Sequence, residues 1–183
     1  MSPFATADGP TLSAGLLAAR VVFGLLMAAH GTQKLFGWFG GYGLAGTGKF
    51  FEQLGFRPGR FFAATAATTE TVSGLLVALG LLGPVGPALM LSVMIVALVS
   101  VHMRNGVFAA ANGVEVPLLY AIGAVALGLT GHGLFSLDAA LRIGDFWTPA
   151  WACAVLGVGA VGGIGNLLLR RPAPAAAPAT AGD

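Results

Sequence analysis

A chain of 183 residues that is 56% hydrophobic and only 9% charged falls far short of the roughly 25% charged residues of a soluble domain, which excludes an ordinary water-soluble globule. The net charge of +2 comes from nine Lys and Arg scattered along the chain, without the basic clusters and interleaved aromatics of a nucleic-acid surface, so nucleic acid is not an expected partner. A single thiol, Cys153, excludes an internal disulfide and any C-x-x-C shuttle or zinc knuckle, leaving redox chemistry to a bound molecule or a partner.

Five apolar runs of about 20 residues are each long enough to cross a hydrocarbon core as a helix. The first is expected over 12–38, where Pro10 and Thr11 mark a helix start. No Lys or Arg precedes Arg20, so the basic region of a cleavable signal is missing and this run is expected to stay as an anchor. The loop 39–58 carries Phe50, Phe51 and Leu54 at the spacing of a short amphipathic helix. A second span is expected over 61–82, and Gly83-Pro84-Val85-Gly86-Pro87 forces a tight turn into a third that ends near His102 and Arg104. A fourth is expected over 115–131 and a fifth over 148–169. Gly159 and Gly163 in the fifth form a close-packing pattern that suits either the other spans or a second copy of the chain. The Pro/Ala-rich tail 170–183 is expected to be disordered.

With five spans, Lys34, Lys49, Arg57, Arg60, Arg104, Arg170 and Arg171 fall on one side and Arg142 on the other. The positive-inside rule then puts the N-terminus outside and the C-terminus in the cytoplasm of a multi-pass protein of the inner (plasma) membrane.

Ionisable groups inside a span are costly and turn toward partners or cavities. Counting 1.5 Å per residue from the two expected span ends sets Arg20 and Glu70 at similar depths, so an Arg20–Glu70 ion pair near the midplane is expected. His30 and Lys34 share one face of the first helix, and His102 and Glu115 flank the loop between the third and fourth spans. Together these groups form an expected ligand-binding set able to hydrogen-bond a quinone carbonyl, take up its proton or bind a small anion. His30, His102, Glu70 and Glu115 are metal-ligand types, but no His pair at i, i+4 and no Glu-x-x-His repeat supports a metal site. Ser136 and Cys153 lack an adjacent base for nucleophilic chemistry. The Gly-rich stretch 37–48 follows no strand, so it does not indicate a nucleotide fold.

The string His30-Gly31-Thr32-Gln33-Lys34-Leu35-Phe36-Gly37-Trp38-Phe39-Gly40-Gly41 resembles the opening signature of the DoxX family of small membrane proteins. The likeness continues through Gly43-Leu44-Ala45-Gly46-Thr47, Phe50-Phe51, Glu70 with Gly74, His102 with Asn105-Gly106, Glu115 and Ser136-Leu137-Asp138. It covers residues 14–141, and departs from the family at His132, where a proline is usual between two glycines. The resemblance implies an all-α transmembrane bundle, a four-helix DoxX-like core over 12–141. To it this chain adds a connector and fifth C-terminal transmembrane helix over 142–169, with an extracytoplasmic segment 1–11. It also implies association with quinol oxidation and membrane redox complexes, and the matching polar positions are Arg20, His30, Lys34, Glu70, His102 and Glu115.

The expected function is therefore a quinone-linked redox component or accessory subunit with a polar intramembrane pocket. Besides the lipid bilayer, its expected partners are quinone and a redox-complex protein or a second copy of the chain. No flavin, haem or iron–sulfur motif points to an intrinsic cofactor. A non-enzymatic scaffold or assembly factor is the alternative, and a small proton-coupled transporter a third reading.

Overall fold

The computed structural model describes residues 9–171, all helices and connections without a strand among them. Helix α1 spans Pro10–Phe36, α2 Gly43–Gln53, α3 Gly59–Leu79, α4 Val85–Ala97, α5 Glu115–Thr130, α6 Leu137–Ala140 and α7 Pro149–Leu168. The expected amphipathic segment in the first loop is α2. One π-turn, Leu98–His102, prolongs α4.

Four helices are long and apolar enough to cross a membrane: α1, α3, α4 with its π-turn, and α7. Helix α5 is apolar but has 16 residues, about 24 Å at 1.5 Å per residue, shorter than a core of roughly 30 Å. The expected five apolar helices are thus present, and four of them meet the length of a span.

The ends of α1 follow from its sequence. Pro10 occupies the first turn, where its missing N–H is no loss. Gly37 closes the helix in the left-handed conformation (φ 76°) and returns its N–H to Gln33. Between these ends α1 lies against α3 along a seam of small residues. A Cβ on Gly24 would stand 2.5 Å from Ala78 N and from Gly74 O, and one on Gly31 2.6 Å from Thr71 N. The backbones touch, so dispersion and packing hold the pair where lipid offers no hydrophobic drive.

On the far side α7 packs on α4 by the same means. Gly159 meets Ala88 and Gly163 meets Ser92, so the glycine face of α7 is used inside the chain. The bundle core of Met27, Val77, Met90, Met94, Tyr120, Ala124 and Leu127 lies between these two seams.

The chain reverses at each long helix, which gives the bundle two ends. One end carries residues 37–58, 103–114 and 169–171, the other carries 80–84 and 131–148. The first gathers Lys34, Lys49, Arg57, Arg60, Arg104, Arg170 and Arg171, and is called the basic end below. Arg170 and Arg171, expected to open a disordered tail, bond instead to the α2–α3 turn: Arg170 Nε donates to Leu54 O, and Arg171 N to Gly55 O at 2.8 Å. The rest of the expected tail, and residues 1–8 of the expected extracytoplasmic segment, lie outside the described residues.

Replacing Gly24 or Gly74 by Leu is expected to destabilise the detergent-solubilised protein by at least the 1–3 kcal/mol typical of overpacking, read as a lowered unfolding midpoint. The same change at Gly15, which has open space around it, is expected to leave the midpoint in place.

Candidate functional site

Lys34 stands on the last turn of α1 and Glu70 in the middle of α3. The glycine seam sets Gly31 level with Ala67 and Thr71, and helix side chains lean toward their own N-terminus. Lys34 therefore leans back to the level of Glu70, and its Nζ donates to Glu70 Oε1 in an ion pair. Glu70 is 3% exposed, and its second oxygen, Oε2, has no hydrogen-bond partner.

Two cavities meet at this pair. The larger, about 820 Å³, opens at the basic end between α2, α3 and α4. Phe50, Phe51, Phe56, Phe62, Val93 and Val96 supply its apolar walls. The smaller, about 260 Å³, is lined by His30, Met27, Met94, Pro117 and Tyr120. Lys34, Glu70, Ala97, His102 and Asn112 line both, so the ion pair stands in the wall between a larger and a smaller chamber.

His30 presents its ring edge-on to Tyr120, with centroids 6.1 Å apart, and Phe23 meets the same tyrosine at 5.5 Å. His102 sits on the π-turn, a distortion of the helix ladder often found at functional sites. Its Nδ1 lies 2.8 Å from the backbone oxygen of Asn112. A carbonyl only accepts, so Nδ1 carries a proton, and Nε2 faces away from this bond.

Four of the six expected site residues, His30, Lys34, Glu70 and His102, are thus brought together. Glu115 is not among them: its Oε2 accepts from Ala109 N at 2.7 Å and fastens the 103–114 loop. Nor is Arg20, and the expected Arg20–Glu70 ion pair does not form. The expectation started both spans at matched membrane planes, whereas α1 begins more than two turns beyond the end of α3. Arg20 consequently reaches the level of Gly80, against which its guanidinium packs, while Glu70 lies about ten residues further along the seam. Tyr120, Asn112 and the aromatic residues of α2 line the cavities but were not expected as site residues, although Phe50 and Phe51 were read as one face of an amphipathic helix. Tyr120 lies on a helix too evenly apolar to mark a face, and Asn112 in a loop that contributes its backbone.

Arg20, 0% exposed, anchors the opposite end, where its Nη2 donates to Phe135 O. Asp138 organises that end. Its Oδ1 accepts from Leu82 N at 2.8 Å, and its Oδ2 from Gly83 N at 2.7 Å and His132 Nδ1 at 3.2 Å. Burial alone would push the Asp138 carboxyl up, but the hydrogen bonds from His132, Gly83 and Leu82 outweigh it and hold its pKa below the usual value. Among the described residues no group of three or more His, Cys, Asp or Glu side chains is placed to hold a metal ion.

Apolar helices long enough to span a bilayer, with an ion pair buried between them, define a multi-pass helical membrane protein. Residues 15–103 match the DoxX family model, which supports membership of the DoxX family. The match takes in α1 through the π-turn of α4, hence His30, Lys34, Glu70 and His102, and ends before α5. The resemblance read further along, at Glu115 and at Ser136-Leu137-Asp138, lies outside it. No curated protein and no solved structure matches the chain.

Lys34→Ala leaves Glu70 buried without its cation and is expected to cost about 3 kcal/mol, the low end for a broken buried pair, since Lys34 is partly exposed to the cavity. A Lys34→Met, Glu70→Gln double variant is expected to lose less, and equilibrium unfolding in mixed micelles compares the two. At the other end, a carboxyl with a lowered folded pKa contributes stability that is fully present above its unfolded pKa of about 3.9 and lost as pH falls through the folded value. Unfolding midpoints measured from pH 7 downward are therefore expected to converge for wild type and Asp138→Asn only below pH 4.

Proposed function

We propose that this protein is a quinone-linked component or accessory subunit of a membrane redox system, and that the two cavities at the basic end hold the quinone. The observation that carries this reading is the Lys34–Glu70 pair, with Glu70 buried, shared by a Phe-lined chamber of about 820 Å³ and a smaller one of about 260 Å³ that holds His30 and Tyr120. Cavities of roughly 300–1,000 Å³ with apolar walls and a few convergent polar groups are the usual form of a small-molecule site.

An isoprenoid-like tail suits the Phe-lined chamber. A carbonyl or hydroxyl head suits the polar junction, where Lys34 and His30 donate and Glu70 Oε2 accepts, with His102 beside them. Both a donor and an acceptor stand at the same place, so the oxidised and the reduced head can each be hydrogen-bonded. Arg20 and Glu115 contribute from a distance, by tying the helix ends that shape the pocket. Electrons reach or leave the head through a partner, since the site's own side chains supply a proton route and no redox group.

The seven cations gathered at the cavity end favour a plasma-membrane protein with that end in the cytoplasm and the N-terminus outside. That orientation takes α5 as a fifth crossing, its short apolar length completed by the residues that flank it.

Solvent extraction of the detergent-purified protein, with quinones quantified by mass spectrometry, tests the assignment. Near-stoichiometric quinone in the wild type and background levels in a His30→Ala, Glu70→Gln variant are expected. Background levels in both overturn the assignment.

A further inference from the structure

The end opposite the Lys34–Glu70 cavities holds a second polar cluster, centred on His132, which itself lies outside the residues matched to the family. His132 is 4% exposed and bonds Asp138 through Nδ1, and Asp138 is saturated by Leu82 N and Gly83 N. Three side chains around it are left with nitrogen atoms that are buried and without partner: His132 at Nε2, Trp147 at Nε1, and Arg20 behind them at Nε and Nη1. Indole and guanidinium nitrogens only donate, so Trp147 and Arg20 are short of acceptors, while His132, whose Nδ1 faces Asp138, has Nε2 free. The deficit at this end is therefore one of acceptors. His132 and Trp147 line one cavity of about 290 Å³, together with Ser136 and the exposed Arg142.

We propose that this cavity is a binding site for a small oxyanion, a carboxylate or an inorganic anion of similar size, held between His132 and Trp147 with Arg142 at the mouth. The ligand's oxygens supply the acceptors that Asp138 cannot, and Arg20 contributes its charge from behind. Asp145 also lines the cavity but is exposed at its rim, where it opposes an incoming anion. The site therefore gains affinity when Asp145 is neutralised. The indole of Trp147 packs flat on Gly83, so Trp147→Phe removes the N–H and keeps the packing.

The test is calorimetric titration of the full-length protein in detergent with sodium sulfate and, separately, sodium acetate, against sodium chloride at matched ionic strength. Saturable binding of sulfate, acetate or both is expected, and the anion that binds fixes whether the site takes an inorganic oxyanion or a carboxylate. His132→Gln and Trp147→Phe are each expected to weaken it about tenfold, the scale of one lost charge-assisted hydrogen bond, while Asp145→Asn tightens it. Unchanged unfolding midpoints identify the variants that have kept their fold, with Trp147→Phe as the conservative one. Heats no greater than those of chloride, or binding that Trp147→Phe leaves unaltered, overturn the proposal.

Discussion

The close approach of α1 and α3 is the constraint on which the rest of the structure depends. Gly24, Gly31 and Gly74 let two backbones meet without side chains between them, and in lipid such contact supplies attraction that a hydrophobic drive cannot. A seam of this kind admits one register. Sliding α1 by a turn would drive Ala28 or Met27 into the backbone of α3. The register decides in turn which buried charges meet, and it gives Glu70 to Lys34 and sends Arg20 to the far end.

The helices were legible in the sequence because each is an apolar run closed by glycine, proline or a turn. Their observed limits, Pro10–Phe36 and Pro149–Leu168 among them, lie within three residues of the expected ones. The polar residues of the site were legible too, since an ionisable group within an apolar run is conspicuous for its cost. Their pairing was not. It depends on how far α1 projects beyond α3, and that offset is written in the small residues of the seam rather than in the length of either run. Arg20 and Glu70 matched in depth only while both helices were taken to start at the membrane surface. Asn112 contributes a backbone oxygen, for which a sequence carries no side-chain signal.

The buried charges at the two ends of the bundle are held differently. Arg20 and Asp138 sit among turns whose backbone groups hold them: Phe135 O on one, Leu82 N and Gly83 N on the other. Three segments of chain are fastened by those bonds, so that end serves as the clamp of the bundle. Glu70 has no backbone donor on its carboxylate, only the flexible ammonium of Lys34, and one oxygen left over. A long, mobile partner beside an open cavity is easily rearranged when a ligand arrives, and a network of backbone bonds is not.

The C-terminal helix lies beyond the matched family region, yet it is built into the cavity end. Its glycines seat it on α4 at Ala88 and Ser92, Asn166 lines the large chamber, and Arg170 and Arg171 hold the carbonyls of Leu54 and Gly55 at the close of α2. Helix α2 packs on α1 and α3, and its amphipathic face forms the roof of that chamber. Carbonyls at a helix end are short of donors, and the two arginine-derived N–H groups supply them at the point where α2 turns into α3. The same glycine face that would suit a dimer is thereby consumed within one chain, so α7 acts on the cavity through α2 and α4 and leaves its outer apolar side to the lipid.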